Sequence, residues 1–102
     1  MRTWNMVELD VIRWSEARKI IPNSTSAAQI RKAYEEMDEL SEAIATRDER
    51  GIIDGFGDVL VCLINAAALE DVSLVRCLEH AYSEIKDRTG TMNSEGIFVK
   101  DA

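Results

Sequence analysis

Residues 52–69 read IIDGFGDVLVCLINAAAL, the most apolar segment of this 102-residue chain, with Asp54, Asp58 and Asn65 set inside it. On a helix of about 100° per residue, Ile52, Ile53, Phe56, Val59, Leu60, Leu63, Ile64 and Ala67 gather on one broad face. Asp54, Asp58 and Asn65 fall within about 40° of one another on the opposite side. Val61, Cys62 and Leu69 flank them, so the helix is apolar nearly all round, the pattern of a helix central to a bundle. Burying an ionised carboxylate costs several kcal/mol unless a partner neutralises it, so the segment asks for a cation. Gly55 and Gly57 each weaken the helix by about 1 kcal/mol relative to alanine. A glycine is tolerated there where a backbone or ligand comes close.

Around this stretch the composition is that of a helical domain: one proline, five glycines and abundant helix formers. The expectation is an all-α, four-helix bundle-like single domain spanning residues 1–102. Its helices fall at about 4–20, 27–46, 51–70 and 73–87, with an irregular C-terminal tail. A core this small gains from pairing, so assembly as an oligomer is expected. A net charge of −7 without a basic stripe argues against binding nucleic-acid backbones. The opening MRTWNMVELD lacks the apolar core of an export signal, and the longest apolar run, residues 59–69, is too short to span a bilayer. These features predict no membrane partner and a cytoplasmic location, the host cytoplasm if the chain is phage-encoded. Cys62 and Cys77 lack metal-ligand spacing and read as small reduced core residues.

The first helix carries Val7, Val11 and Trp14 at helical spacing, and Pro22-Asn23-Ser24 ends it. Thr25 or Ser26 caps the second, whose stripe is Ile30, Ala33, Tyr34, Met37, Leu40 and Ile44. Lys32, Glu36 and Glu39 share the flank nearer a packing partner, whereas Glu35, Asp38 and Glu42 form a solvated flank. A short polar connection, residues 47–51, lets the second and third helices pair antiparallel, so that Glu36, Glu39, Asp54 and Asp58 converge. Four converging carboxylates repel unless hard cations lie between them. An all-oxygen site suits magnesium or manganese rather than zinc. Ser73 caps a fourth helix that ends near Lys86 and Arg88, where positive charge also favours the helix dipole. His80 stands alone as a surface residue, and Ile97-Phe98-Val99 reads as a short extended arm packed on the bundle or on a partner subunit.

The run Lys32-Ala-Tyr-Glu35-Glu36-Met-Asp-Glu39-Leu40 resembles the KxxEExxEL block of MazG-like nucleotide pyrophosphohydrolases, members of the all-α NTP pyrophosphatase superfamily. The family's second block, ExxD, is matched at Asp58, while Gly55 stands where the usual glutamate would be and Asp54, one residue earlier, is its replacement. Asn65 matches a family asparagine, and Glu84-Ile-Lys86-Asp-Arg88 is similar to the family's basic segment. The tail TGTMNSEGIFVKDA and the stretch IIPNSTSAAQ look closest to small single-domain members carried by bacteriophages.

The resemblance implies magnesium-dependent hydrolysis of a nucleoside triphosphate to the monophosphate and pyrophosphate, in a homodimer or homotetramer whose sites combine helices of several subunits. It implies metal ligands at Glu36, Glu39, Asp54 and Asp58, with Glu35 supporting them or taking a proton from water. Lys32, Lys86 and Arg88 would hold phosphate charge, and Asn65 would orient a ligand oxygen. Trp14 would stack on the base, and Ser24, Ser26 and Gln29 would read its edges. Two rivals are a catalytically inactive oligomerisation or regulatory module, suggested by Gly55, and an acidic decoy that mimics DNA. The decoy needs outward-facing acids, against the inward placement expected for Asp54, Asp58 and Asn65.

Overall fold

Three helices begin where a side chain accepts a backbone N–H that has no partner within the helix. Thr3 accepts from Met6 at 3.3 Å, Thr25 from Ala28 at 3.0 Å and Asp48 from Gly51 at 3.1 Å. The computed structural model describes residues 1–102. In it α1 spans Trp4–Ala17, α2 Ser26–Ala45, α3 Glu49–Leu69 and α4 Leu74–Ile85, followed by β1, Gly90–Met92, and β2, Phe98–Lys100. The all-α expectation holds, with four helices in the expected places.

The 47–51 connection proves shorter than its polarity suggested. Capping by Asp48 draws Glu49, Arg50 and Gly51 into the first turn of α3. The tail is not irregular: β1 and β2 pair antiparallel, Gly90 opposite Lys100, Thr91 opposite Val99 and Met92 opposite Phe98. Asn93 Oδ1 closes the turn by accepting from the N–H groups of Glu95 and Ile97, both at 2.9 Å. Gly96 adopts φ 81°, a left-handed turn position that favours glycine.

Helix α3 is the centre, as its all-round apolarity predicted: α1, α2 and α4 each pack on it. On length and composition alone it passes as a membrane span, with a mean hydropathy of 1.8, a test that core helices also pass. Its closest neighbour is α2, and small residues, Ala33 and Ala43 on α2 with Gly55, Cys62 and Ala66 on α3, are buried. At Gly55 an added Cβ would lie 3.1 Å from the Leu40 Cα, so this glycine sets how near α2 can come.

Only nine residues are buried, and large apolar side chains expected in the core lie open: Tyr34 at 65 %, Ile53 at 73 % and Phe56 at 55 % exposure. The chain exposes 7953 Å², about 2,100 Å² above the roughly 5,800 Å² of a folded monomer of its mass. Its radius of gyration, 15.9 Å, exceeds the roughly 13 Å of a closed domain this long. The four helices therefore form an open half-core rather than a sealed bundle.

Candidate functional site

The two flanks of α2 separate only at Glu36: Lys32 and Glu39, expected beside it on the packed flank, are exposed because no helix of this chain covers them. The Glu35 side chain is 70 % exposed and that of Glu36 13 %, because Glu36 faces the crevice towards α3. Lys32 Nζ lies 3.4 Å from Glu36 Oε1 and 4.0 Å from Glu35 Oε2. Glu35 above all, then Glu36, holds the Lys32 ammonium above its ordinary range. Glu39 touches Glu36, and that hydrogen bond and charge, with some desolvation and the charge of Asp58, push the Glu39 carboxyl up. Cys62, one turn beyond Asp58, is raised mainly by burial and then by Glu36, so its thiol stays protonated and supplies no nucleophile. Lys32, Glu36 and Glu39 thus lie together on α2, with Asp58 of α3 near enough for its charge to be felt.

Within one chain this gathering is incomplete. No three carboxylates come close enough to enclose an ion. Asp54 and Asp58 are exposed, so of the expected inward group only Asn65 is buried. The Asn65 amide is occupied: Oδ1 accepts from Ser15 Oγ at 2.6 Å, and Nδ2 donates to Gln29 Oε1 at 3.3 Å. Gln29 Nε2 in turn donates to Ser24 Oγ at 3.1 Å, and Ser26 Oγ donates to Glu70, so these residues tie α1, α2 and α3 together. Lys86 and Arg88 are exposed beyond α4, which does not touch α2, and neither pairs with an acid. His80 is a surface residue, 3.6 Å from Glu84, whereas Cys77, expected in the core, is exposed.

Trp14 and Asp58 do share a cleft. A cavity of about 400 Å³ between α1 and α3 is lined by both, with Asp10, Val11 and Val61. The Arg18 guanidinium stacks 4.5 Å from the centre of the Trp14 ring, and Arg2 pairs with Asp10 at the same cleft. Gly57 lines an adjoining apolar cavity of about 660 Å³, and no atom within 4 Å would meet a Cβ there.

Sequence reasoning missed Glu8. Its buried carboxylate accepts from Ser73 Oγ at 2.9 Å and from the Leu74 N–H at 2.7 Å, capping α4 from α1 in place of the Ser73 side chain. The available signal was spacing: Glu8 and Ser15 share the helical stripe of Val11 and Ile12, so both point inward.

The profile of the MazG nucleotide pyrophosphohydrolase domain matches residues 24–91, two thirds of the chain. The chain therefore belongs to the MazG nucleotide pyrophosphohydrolase family, a class of nucleotide-hydrolysing enzymes, and the match contains both acidic blocks. No curated protein and no solved structure matches it.

Proposed function

We propose that this protein hydrolyses a nucleoside or deoxynucleoside triphosphate at the α–β phosphate bond, releasing the monophosphate and pyrophosphate, with magnesium as its cofactor and manganese as a substitute. The observation that carries this reading is the pairing of Glu36 with Glu39 on α2 beside Lys32, with the charge of Asp58 reaching them from α3, which together push the Glu39 carboxyl up. The donors of these acids are all oxygens, which fits a hard divalent cation. Bound there, such an ion would neutralise phosphate charge and make an attacking water more acidic. Glu36 and Glu39 would hold it from successive turns of α2, Asp58 from α3, and Asp54 would close the set from one turn earlier. Glu35, exposed beside them, would take the proton of the attacking water. Lys32 would hold a phosphate oxygen, and Trp14 would stack on a base in the cleft it shares with Asp58.

Self-association as a homodimer or homotetramer belongs to the same reading. The roughly 2,100 Å² of excess exposed surface is what one partner of a large obligate interface covers. Lys86 and Arg88 would then reach the acids of a neighbouring copy. Nucleic acid and membrane are no part of this scheme, and the cytoplasm would be the site of action.

The test is a panel of eight common ribo- and deoxyribonucleoside triphosphates with magnesium, analysed for monophosphate and pyrophosphate. Release from at least one, abolished by chelation and by Asp58→Asn with helicity intact, is the expected result. The rival, an inactive assembly module, draws on Gly55 and on the absence of three gathered carboxylates in one chain, and predicts no release from any.

A further inference from the structure

We infer that the C-terminal hairpin formed by β1 and β2 is a docking arm whose Met92–Phe98 face lies on a second copy of this chain. The inference rests on the self-association proposed above and not on the hydrolase chemistry. The backbone of neither strand comes within 8 Å, Cα to Cα, of any helix, so the arm stands clear of its own half-core. It is nevertheless well made. Thr89 Oγ1 donates to Asp101 at 2.7 Å beyond the last ladder pair, and the Phe98 ring covers Gly90, where an added Cβ would come within 2.7 Å of its Cζ. A two-stranded hairpin alone in water is marginal at best and needs a further layer against one face.

The face that needs covering is visible. Met92 and Phe98 are direct cross-strand partners and so project to the same side, at 63 % and 49 % exposure; Ile97, at 60 %, adjoins them at the turn. Leu78, Tyr82 and Ile85 form a second exposed apolar stripe on α4, spaced one helical turn apart.

Area and charge both favour a second copy as the occupant. The excess exposure of about 2,100 Å² is several times what a peptide strand or small ligand covers, and matches one side of an obligate homodimer. Residues 86–102 hold three cations, Lys86, Arg88 and Lys100, and three acids, Asp87, Glu95 and Asp101, so the whole net charge of −7 lies on residues 1–85. The hairpin itself, residues 89–102, carries Lys100 against Glu95 and Asp101, a net −1, so it is the segment that one acidic copy can lay on another with least like-charge repulsion.

Sedimentation over a dilution series of the full chain and of Phe98→Glu tests this. The unaltered chain should associate, and Phe98→Glu should raise the dissociation constant at least tenfold with helical content unchanged, because the arm stands clear of the helices. A photoreactive benzoyl-phenylalanine at position 98 should give an adduct of two chains that is lost on dilution. An oligomer whose dissociation constant ignores Phe98→Glu, or an adduct confined to one chain, overturns the arm and leaves self-association standing. A chain that stays monomeric throughout overturns both, while the triphosphate panel tests the hydrolase separately.

Discussion

Ser15, wholly buried on α1, donates its hydroxyl to Asn65 on α3 at 2.6 Å, and Asn65 passes the connection to Gln29 on α2. Since α1 and α2 do not otherwise pack together, this is the polar link across three helices. Asn65→Ala leaves the Ser15 hydroxyl and the Gln29 carbonyl without partners, which costs about 1–3 kcal/mol for each buried group left unpaired. Thermal unfolding should show a midpoint lower by about 8 °C or more. If Asn65 also orients a substrate oxygen, KM should rise in this variant at temperatures where it remains folded. An unchanged KM assigns it to the fold alone.

Glu8 makes a second prediction. The carboxylate reaches the N-terminus of α4 from another helix, where negative charge is favoured, and α4 buries no side chain of its own. Glu8→Ala should cost about 1–2 kcal/mol, the range for a lost cap. Hydrogen exchange should accelerate at the amides of residues 74–76 while α2 and α3 keep their protection. Equal acceleration throughout the chain would show that the contact carries global rather than local stability.

Much of the fold was legible because apolar spacing reports packing: α2 and α4 appear as stripes, α3 as a helix apolar nearly all round, and Thr25 occupies a capping position, whereas the cap at Asp48 was hidden in a stretch that reads as a polar connection. The helix ends were less so. Lys19, Arg47 and Asp71 hold left-handed φ of 65°, 57° and 60° just past α1, α2 and α3, where a glycine is the usual marker. Of the expected site residues, only Glu36 and Asn65 could be placed, on inward faces, by periodicity; Glu39, Asp54 and Asp58 are exposed. That exposure could not be read, since one chain leaves its core open and burial depends on what covers it.

Those left-handed residues give a third prediction. A residue with a Cβ in this region costs roughly 1 kcal/mol or more, which glycine avoids. Arg47→Gly should therefore stabilise the protein by about 1 kcal/mol, raising the thermal midpoint by about 4–8 °C. A lowered midpoint would mean that the Arg47 side chain contributes contacts that outweigh the backbone relief.

The crowding of Glu39 against Glu36 makes metal-free stability depend on pH. The folded state holds the Glu39 carboxyl above its ordinary value of 4.5, so it binds the proton more tightly than the unfolded chain does. As pH rises from that ordinary value through the raised one, ionisation is easier in the unfolded chain and stability falls. Lys32, also raised, contributes fully at neutral pH and loses its share only as pH climbs above 10.5. Glu39→Gln should match the unaltered protein near pH 4 and exceed it in melting temperature at pH 7. Adding magnesium at pH 7 should narrow the gap; a gap that does not vary between these pH values contradicts the assignment.

Gly55 and Gly57 lie two residues apart on α3 and should respond in opposite directions. Alanine gains about 1 kcal/mol of helix propensity over glycine at either position. At Gly57 nothing lies within 4 Å of the added methyl, so Gly57→Ala should be more stable by that amount. At Gly55 the methyl would meet the Leu40 Cβ at 3.0 Å and its Cα at 3.1 Å, and a helix backbone cannot step aside as a flexible side chain can. Overpacking of this kind costs about 1–3 kcal/mol, so Gly55→Ala should be neutral to destabilising by chemical denaturation. The same geometry bears on the missing family glutamate. A side chain at position 55 starts out towards α2 at Leu40, so Gly55→Glu should force the helices apart and lower both stability and turnover. Faster hydrolysis by Gly55→Glu would instead show that α2 yields, and that an acid at position 55, not Asp54, completes the metal set.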